Sequence, residues 1–371
     1  MVNKKKFFKQ FIIYTSLLFF SNSAFAYDPV ENDSIKGSKA VSSPVKENVS
    51  EKFNAGKLIM DHIVDSHEWH IAGHIALPLP IILYSTNTGL SIFLSNKLED
   101  EQVYNGFKLE KNKIFAVNKA GVIDEAASAK LWDISITKNV ASLFFSIGLI
   151  LWIFLTTAKA YTINAGKAPK GMQSLLEPLI IFVRDDIAKS AIGEKKHKKY
   201  LPFLLTVFFF IWINNMLGLI PIIPGGANVT GNIAIGLTLA VIVFIITILS
   251  SNKNYWRHII AMPGVPIGVL VLLTPIEIFG MFLKPFVLMV RLFANMLAGH
   301  IIALSFFSLI FIFAELNAGV GWGVSIFSIV FTVFMGMLEL LVAFLQAYVF
   351  TLLAAMYFGT AGEEHSHEEH H

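Results

Sequence analysis

Lys284-Pro285-Phe286-Val287-Leu288-Met289-Val290-Arg291-Leu292-Phe293-Ala294-Asn295-Met296-Leu297-Ala298-Gly299-His300 is the stretch on which the fold turns. It lies inside a run from Val265 to Phe313 that is overwhelmingly apolar yet carries an arginine in its middle. An arginine at mid-membrane costs roughly 2.5 to 3.5 kcal/mol on insertion scales. It cannot shed its charge, because its pKa lies above about 12. A snorkelling residue or a structural ion pair is the plainer alternative, but long apolar runs on both sides weaken the first. Intramembrane cations mark ion pathways, and that is the expectation for Arg291.

Working outward, the 371 residues are 55% hydrophobic and only 15% charged, too apolar for an ordinary soluble protein. Uninterrupted apolar runs of about 20 residues indicate helices that span a bilayer. The formal charge of +3 is concentrated in particular loops, so it reports topology and not nucleic-acid binding. The chain has no cysteine, which excludes disulfides, thiolate chemistry and cysteine zinc sites.

Residues 1–26 read as a secretory signal: Lys4, Lys5, Lys6 and Lys9 form the basic start, Phe11 to Phe20 the apolar core, and Ala24-Phe25-Ala26 the cleavage site. Residues 27–138 then form an extracytoplasmic extension whose first part, to about residue 52, is disordered. Phe53 to His70 reads as a helix, and Ile75–Tyr84, Leu90–Leu94, Phe107–Leu109, Ile114–Val117 and Leu131–Ile136 as short strands. His67, His70 and His74 would share a face of that helix near His62, Asp61, Asp65 and Glu68, which admits a zinc site. The spacing matches no metalloprotease signature, so solvated imidazoles on an amphipathic helix are the expectation.

Residues 139–362 form the membrane domain. The first span runs from Val140 to Ala158. Lys159, Lys167, Lys170, Arg184, Lys189, Lys195, Lys196, Lys198 and Lys199 follow, a positive-inside signal that places this loop in the cytoplasm. Within it, Ser174 to Ala191 has the pattern of an amphipathic helix lying on the cytoplasmic surface. Further spans run from Pro202 to Ile223 and from Ile233 to Leu249, and Lys253, Arg257 and His258 return the chain to the cytoplasm. Gly225-Gly226 to Gly231 reads as a turn, because no Lys-Ser/Thr follows it as in a phosphate loop. Pro266–Phe313 and Trp322–Phe358 would measure about 70 Å and about 55 Å as single helices, against a hydrocarbon layer of about 30 Å. Two long, strongly tilted helices joined by a turn at Ala314 to Gly321 are expected, and such tilt calls for a protein partner. Residues 363–371 are a His/Glu-rich cytoplasmic tail with adventitious metal affinity at most. The fold class is an all-α polytopic membrane protein of about five spans, with a surface helix and a small N-terminal α+β region.

Glu277, Lys284, Arg291, Asn295 and Ala298 fall on one stripe of the first long helix, while Glu339 and Gln346 share a face of the second. Ala294, Ala298 and Gly299 keep the surroundings of Arg291 thin enough for another helix to approach. A carboxylate, an imidazole at His300 and an amide near a buried cation supply groups for a proton path. A lone Asn or Gln is otherwise more simply an interhelical hydrogen bond.

Arg291-Leu292-Phe293-Ala294-Asn295-Met296-Leu297-Ala298-Gly299-His300 resembles the central motif of the a subunit (subunit 6) of the F-type ATP synthase membrane sector. Leu345-Gln346-Ala347-Tyr348-Val349-Phe350 is similar to that family's last-helix motif, and Asn215-Met216-Leu217-Gly218-Leu219-Ile220-Pro221 to an earlier one. The likeness covers about residues 170 to 362, leaves the extension at 27–130 unexplained, and departs from the family where Ala234 replaces a frequent threonine. It implies a proton-conducting stator subunit in a bacterial inner membrane, with the mature N-terminus outside and the C-terminus in the cytoplasm. Arg291 would then face the carboxylate of a rotating c-subunit ring and separate two aqueous half-channels. Glu277 would lie on the cytoplasmic side; His300, Glu339, Gln346, Asn295 and Asn215 would line the path. The resemblance also implies a b-subunit peripheral stalk and other ATP synthase subunits as partners, lipid around the spans, and no cofactor, metal or nucleic acid. A self-contained ion or metal transporter is the rival reading, but no repeated pair of halves supports it. Nor is there a nucleophile–base pair that would give the chain a catalytic site of its own.

Overall fold

The computed structural model describes residue 56 and residues 64–362, apart from 73–74, 87–88, 99–101, 111, 119, 221–224, 261, 263 and 317. The signal segment, His62, His74, residues 27–52 and the terminal tail named above lie outside the described residues.

Alternation of apolar and polar side chains produces a small strand region first. Strands β1 (Glu68–Ala72) and β2 (Ile75–Pro78) pair antiparallel, as do β5 (Phe107–Glu110) and β6 (Lys113–Ala116). Between them, β3 (Pro80–Ser85) lies in the centre of a three-stranded sheet with β4 (Gly89–Leu94) and β7 (Leu131–Asp133). Ile81 and Leu83 of β3 point inward, packing with Leu98, Phe107, Ile114 and Ala116 into a satellite core. A short helix, α1 (Glu125–Ser128), is capped by Asp124, whose side chain accepts from Ala127 N–H.

At its end the expected helix does not reach His70: residues 68–72 are β1, where Trp69 is buried beside a more open Glu68. The tertiary reason is pairing with β2, which overrides the local helical spacing. Likewise the single run Ile75–Tyr84 divides into β2 and β3, because each half has a different partner strand.

Helix α2 (Lys138–Ile163) is the first span. Next, α3 (Met172–Phe182) passes into a π-helical turn at Val183–Lys189 and ends as α4 (Ser190–Ile192). This helical segment matches the amphipathic pattern, but its apolar face rests on protein. Leu176, Val183, Ile187 and Ala188 are buried in the main core, and Phe182 packs against Phe208, Phe344 and Tyr348. Helix α5 (His197–Leu219) is apolar all round and buried all round, with every residue from Tyr200 to Ile211 in the core. Helix α6 (Ile233–Ser250) starts at Asn232, whose Oδ1 accepts from Ala234 N–H at 2.9 Å. A short helix, α7 (Lys253–Ile260), leads to the two long ones, α8 (Ile267–Leu316) and α9 (Ala318–Gly362).

Helices of 50 and 45 residues measure about 75 and about 68 Å, far beyond one perpendicular crossing. Pro275 and Pro285 lie within α8 without ending it. The helices also continue through most of the expected Ala314–Gly321 turn, of which only residue 317 is outside the described set. Among the described residues, five helices are long and apolar enough to cross a membrane: α2, α5, α6, α8 and α9.

Two sets of contacts mark opposite ends of the bundle. At one, Lys196 Nζ and Asn252 Nδ2 both donate to the Gly362 carbonyl, at 2.7 and 3.1 Å, so a lysine caps the last turn of α9. At the other, Trp69 Nε1 donates to Gly225 O at 3.1 Å, the Lys138 amide to Ser66 O at 2.8 Å, and the Asn139 amide to Asp65 Oδ1 at 3.0 Å. The strand region is thus clasped to the bundle beside the α5–α6 connection.

Candidate ion-translocation site

Three helices, α5, α8 and α9, bring the polar residues together. On α8, Leu288, Leu292 and Met296 are buried against the bundle, so the residues one step round the helix are turned out of it. Arg291, Ala294, Asn295 and Ala298 are all exposed, which makes one open stripe of an arginine, an amide and two small side chains. Among the described residues the ion pairs are His67–Asp133, Arg184–Asp185 and Lys189–Glu194, so no carboxylate of this chain is in ion-pair reach of Arg291. The guanidinium stands on a lateral face at helix mid-length.

The backbone behind it is held by α9. Gln346 is buried and donates from Nε2 to Leu292 O at 2.6 Å, with a weaker approach to Arg291 O at 3.4 Å. This fixes the height of Arg291 against α9, while Gln346 Oε1 is buried without a hydrogen-bond partner among the described residues. Asn215 is fully buried on α5 and ties three elements: its Nδ2 donates to Ala343 O at 3.2 Å, and its Oδ1 accepts from Thr230 Oγ1 at 2.6 Å. Asn214 turns its Nδ2 to Phe210 O at 2.8 Å, leaving its own Oδ1 buried and unsatisfied by the chain.

Glu339 of α9 approaches Gly299 of α8, next in sequence to His300. A Cβ built on Gly299 would lie 2.9 Å from Glu339 Oε1, so the carboxylate rests on the bare glycine backbone. The half-buried His300 places its Nε2 beside Gly218 of α5, where an added Cβ would be 3.8 Å away. Small residues at 218 and 299 let an imidazole and a carboxylate enter a tight helix interface.

Towards the Gly362 end the stripe closes. Lys284 is half-buried with its Nζ 5.5 Å from the Tyr357 ring centre. Together with Val243, Thr247, Tyr255 and Leu288 these residues line a crevice. Burial, helped by the nearby Glu277 charge, pushes the Tyr255 phenol up, which places Glu277 at this same end. Here Thr274 Oγ1 donates to Ile260 O at 3.0 Å, joining α8 to α7.

The structure therefore gathers Asn215, Gln346, His300 and Glu339 around the α5–α8–α9 interface, leaves Arg291 and Asn295 on the open face, and sets Glu277 apart at the other end. Thr230, Asn214, Gly218, Tyr255 and Tyr357 were not legible as site residues. Only Gly218 lay inside a recognised motif; the others came from loops or apolar runs without a distinguishing pattern. In the strand region, His67 is buried and its Nε2 is 3.5 Å from Asp133 Oδ2, so the expectation of a solvated imidazole fails at this residue. No group of three metal-ligating side chains occurs among the described residues.

Taken together, five helices long and apolar enough to cross a membrane, two of them overlong and one carrying an exposed arginine on its lateral face, define a polytopic membrane protein. The family described as ATP synthase A chain matches residues 140–359, and the chain belongs to that family. A second family, described as a domain of unknown function, matches residues 58–134. Among curated proteins, "ATP synthase subunit a 2" of Chlorobaculum tepidum is 44% identical over 248 residues, covering 64% of this chain and 67% of that one. "ATP synthase subunit a 2" of Prosthecochloris aestuarii is 45% identical over 243 residues, covering 64% and 72%. "ATP synthase subunit a" of Myxococcus xanthus is 38% identical over 249 residues, covering 64% and 77%.

Proposed function

We propose that this chain is the proton-conducting stator subunit of an F-type ATP synthase, with Arg291 facing the carboxylates of a c-subunit ring and a b-subunit stalk holding it in place. The observation that carries this reading is the exposed Arg291, without an own-chain carboxylate in reach among the described residues. A fixed cation lowers the pKa of a passing ring carboxylate, which releases its proton there. Beyond the arginine, in lipid, that carboxylate must be protonated before it moves on.

Two paths on opposite sides of Arg291 follow from the two ends of the bundle. The external path runs past Asn215, Thr230, His300, Glu339 and Gln346, near the end where Trp69 meets Gly225. Buried acceptors without chain partners, Asn214 Oδ1 and Gln346 Oε1, are places where water completes the hydrogen bonding. The cytoplasmic path runs through the crevice of Lys284, Tyr255 and Tyr357 towards Glu277, at the end carrying Lys196. Arg291 and its neighbour Asn295 stand between, and the charge repels a proton moving directly from one path to the other. Each proton crossing gains about 2.3 kcal/mol per 100 mV, which the ring stores as rotation.

This orientation sets the mature N-terminus and residues 64–133 outside and the tail in the cytoplasm. The test is ATP-driven acidification of inverted vesicles. Arg291→Ala abolishes it, and Arg291→Lys leaves it severely impaired because a buried lysine can deprotonate. Wild-type acidification by Arg291→Ala would refute the reading.

A further inference from the structure

The three-stranded sheet has two apolar sides, although only one packs on a core. Cross-strand partners project to the same side, so the register Tyr84↔Leu90, Ile82↔Ile92, Pro80↔Leu94 and Tyr84↔Trp132 defines the outer side. Ile134 extends it, since its amide donates to Ile82 O at 2.9 Å. Leu90, Ile92, Leu94, Tyr84, Trp132 and Ile134 are between 46% and 67% exposed. No charged side chain stands on this side of the paired strands. A sheet with one solvated face alternates apolar and polar residues, and this one does not. Contiguous apolar patches of this kind mark a contact with protein or membrane.

We propose that the outer side of this sheet lies in the lipid headgroup region of the leaflet where α2 enters the bilayer, anchoring the strand region flat on the membrane. Chain length carries the first argument. Four residue steps separate Ile134 from Lys138, the first residue of α2, and so span at most about 14 Å. The interfacial layer itself adds about 6 Å beyond the hydrocarbon on each side. Rigid attachment carries the second, for the clasp of Ser66, Asp65 and Trp69 to Lys138, Asn139 and Gly225 keeps the region at the end of the bundle. The third is proximity along the chain: α2, which follows the sheet's last strand after a few residues, exposes the apolar side chains of Phe144, Phe145, Trp152 and Leu155. Residue type agrees, because tryptophan and tyrosine prefer the membrane–water boundary, ring in the apolar part and polar tip in water.

The absence of native cysteine allows single labels to decide it. Ile92→Cys and Ile134→Cys on the sheet, Phe145→Cys on α2 and Lys113→Cys on the exposed part of β6 would each carry a nitroxide. Collision with oxygen and with a water-soluble nickel chelate would be read in the assembled ATP synthase and in the subunit alone, both in nanodiscs. Lipid contact gives oxygen-to-chelate ratios at Ile92 and Ile134 close to that at Phe145 and several-fold above that at Lys113, in both samples. Ratios equal to that at Lys113 would show a hydrated face and overturn the proposal. Labels shielded from both reagents in the complex would show a protein partner instead, and overturn it equally. The paired positions guard against one substitution disturbing the sheet.

Discussion

At Gly299 one missing methyl decides whether a carboxylate can stand beside the arginine-bearing helix. Glu339 Oε1 occupies the space that a Cβ would need, at 2.9 Å. Gly299→Ala therefore displaces the Glu339 carboxyl by several tenths of an ångström and lowers ATP-driven proton pumping while leaving assembly intact. Gly299→Ala combined with Glu339→Asp, whose shorter arm clears the methyl, recovers part of the rate; an acidification assay on the single and double variants checks both. Arg291 was legible as a residue out of place in lipid, because its cost does not depend on the neighbours. Thr230 was not, because its hydroxyl matters only through Asn215, 15 positions away in the chain, and the loop between them follows no period.

Among the elements, α5 shows why a uniformly apolar sequence ends up central, while α8 and α9 show why length alone forces tilt. The start of α6 is set by a single side chain. Asn232→Ala removes the acceptor of the Ala234 amide and costs about 1 kcal/mol, whereas Asn232→Gly costs only a few tenths. Thermal denaturation of the purified subunit, with the wild type above the Gly variant and the Gly variant above the Ala variant, is the expected ranking. The long helices were readable from run length, but their meeting point was not, since both continue through most of the expected Ala314–Gly321 turn. The end of the segment from Phe53 to His70 was misread, since β1 exists only through β2, and residues 68–72 carry no strand signal stronger than their helical spacing. The apolar side of Met172–Ile192 was readable as well, but what it faces was not: lipid and protein ask for the same residues.

Across the whole molecule, the strand region and the bundle are joined through a few polar contacts at one end, and a contact inside the strand region beside them titrates. Burial raises the Asp133 carboxyl, but contact with His67 and hydrogen bonds from Ser135 outweigh it and hold the pKa below its ordinary 3.8. A depressed aspartate contributes stability that is complete above that ordinary value and is lost as pH falls below it through the folded value. Protease resistance of the strand region in the full chain is expected to hold at about pH 6 and to fall at about pH 3, with Asp133→Asn removing most of this difference. The exposed lateral face of α8 and the outer side of the clasped sheet are thus two separate surfaces, the first proposed above for a ring of subunits and the second for lipid.

The order of spans, the long helices, the lone arginine amid an apolar run and the family were determined by sequence alone, because run length, composition and motif are properties of each segment by itself. Tertiary structure alone decided which face of α8 stays open, which amide holds it from behind, and where Glu339 and His300 enter the interface. Those depend on approach distances between helices far apart in the chain, where a glycine or a buried hydroxyl acts only through the partner that packs against it.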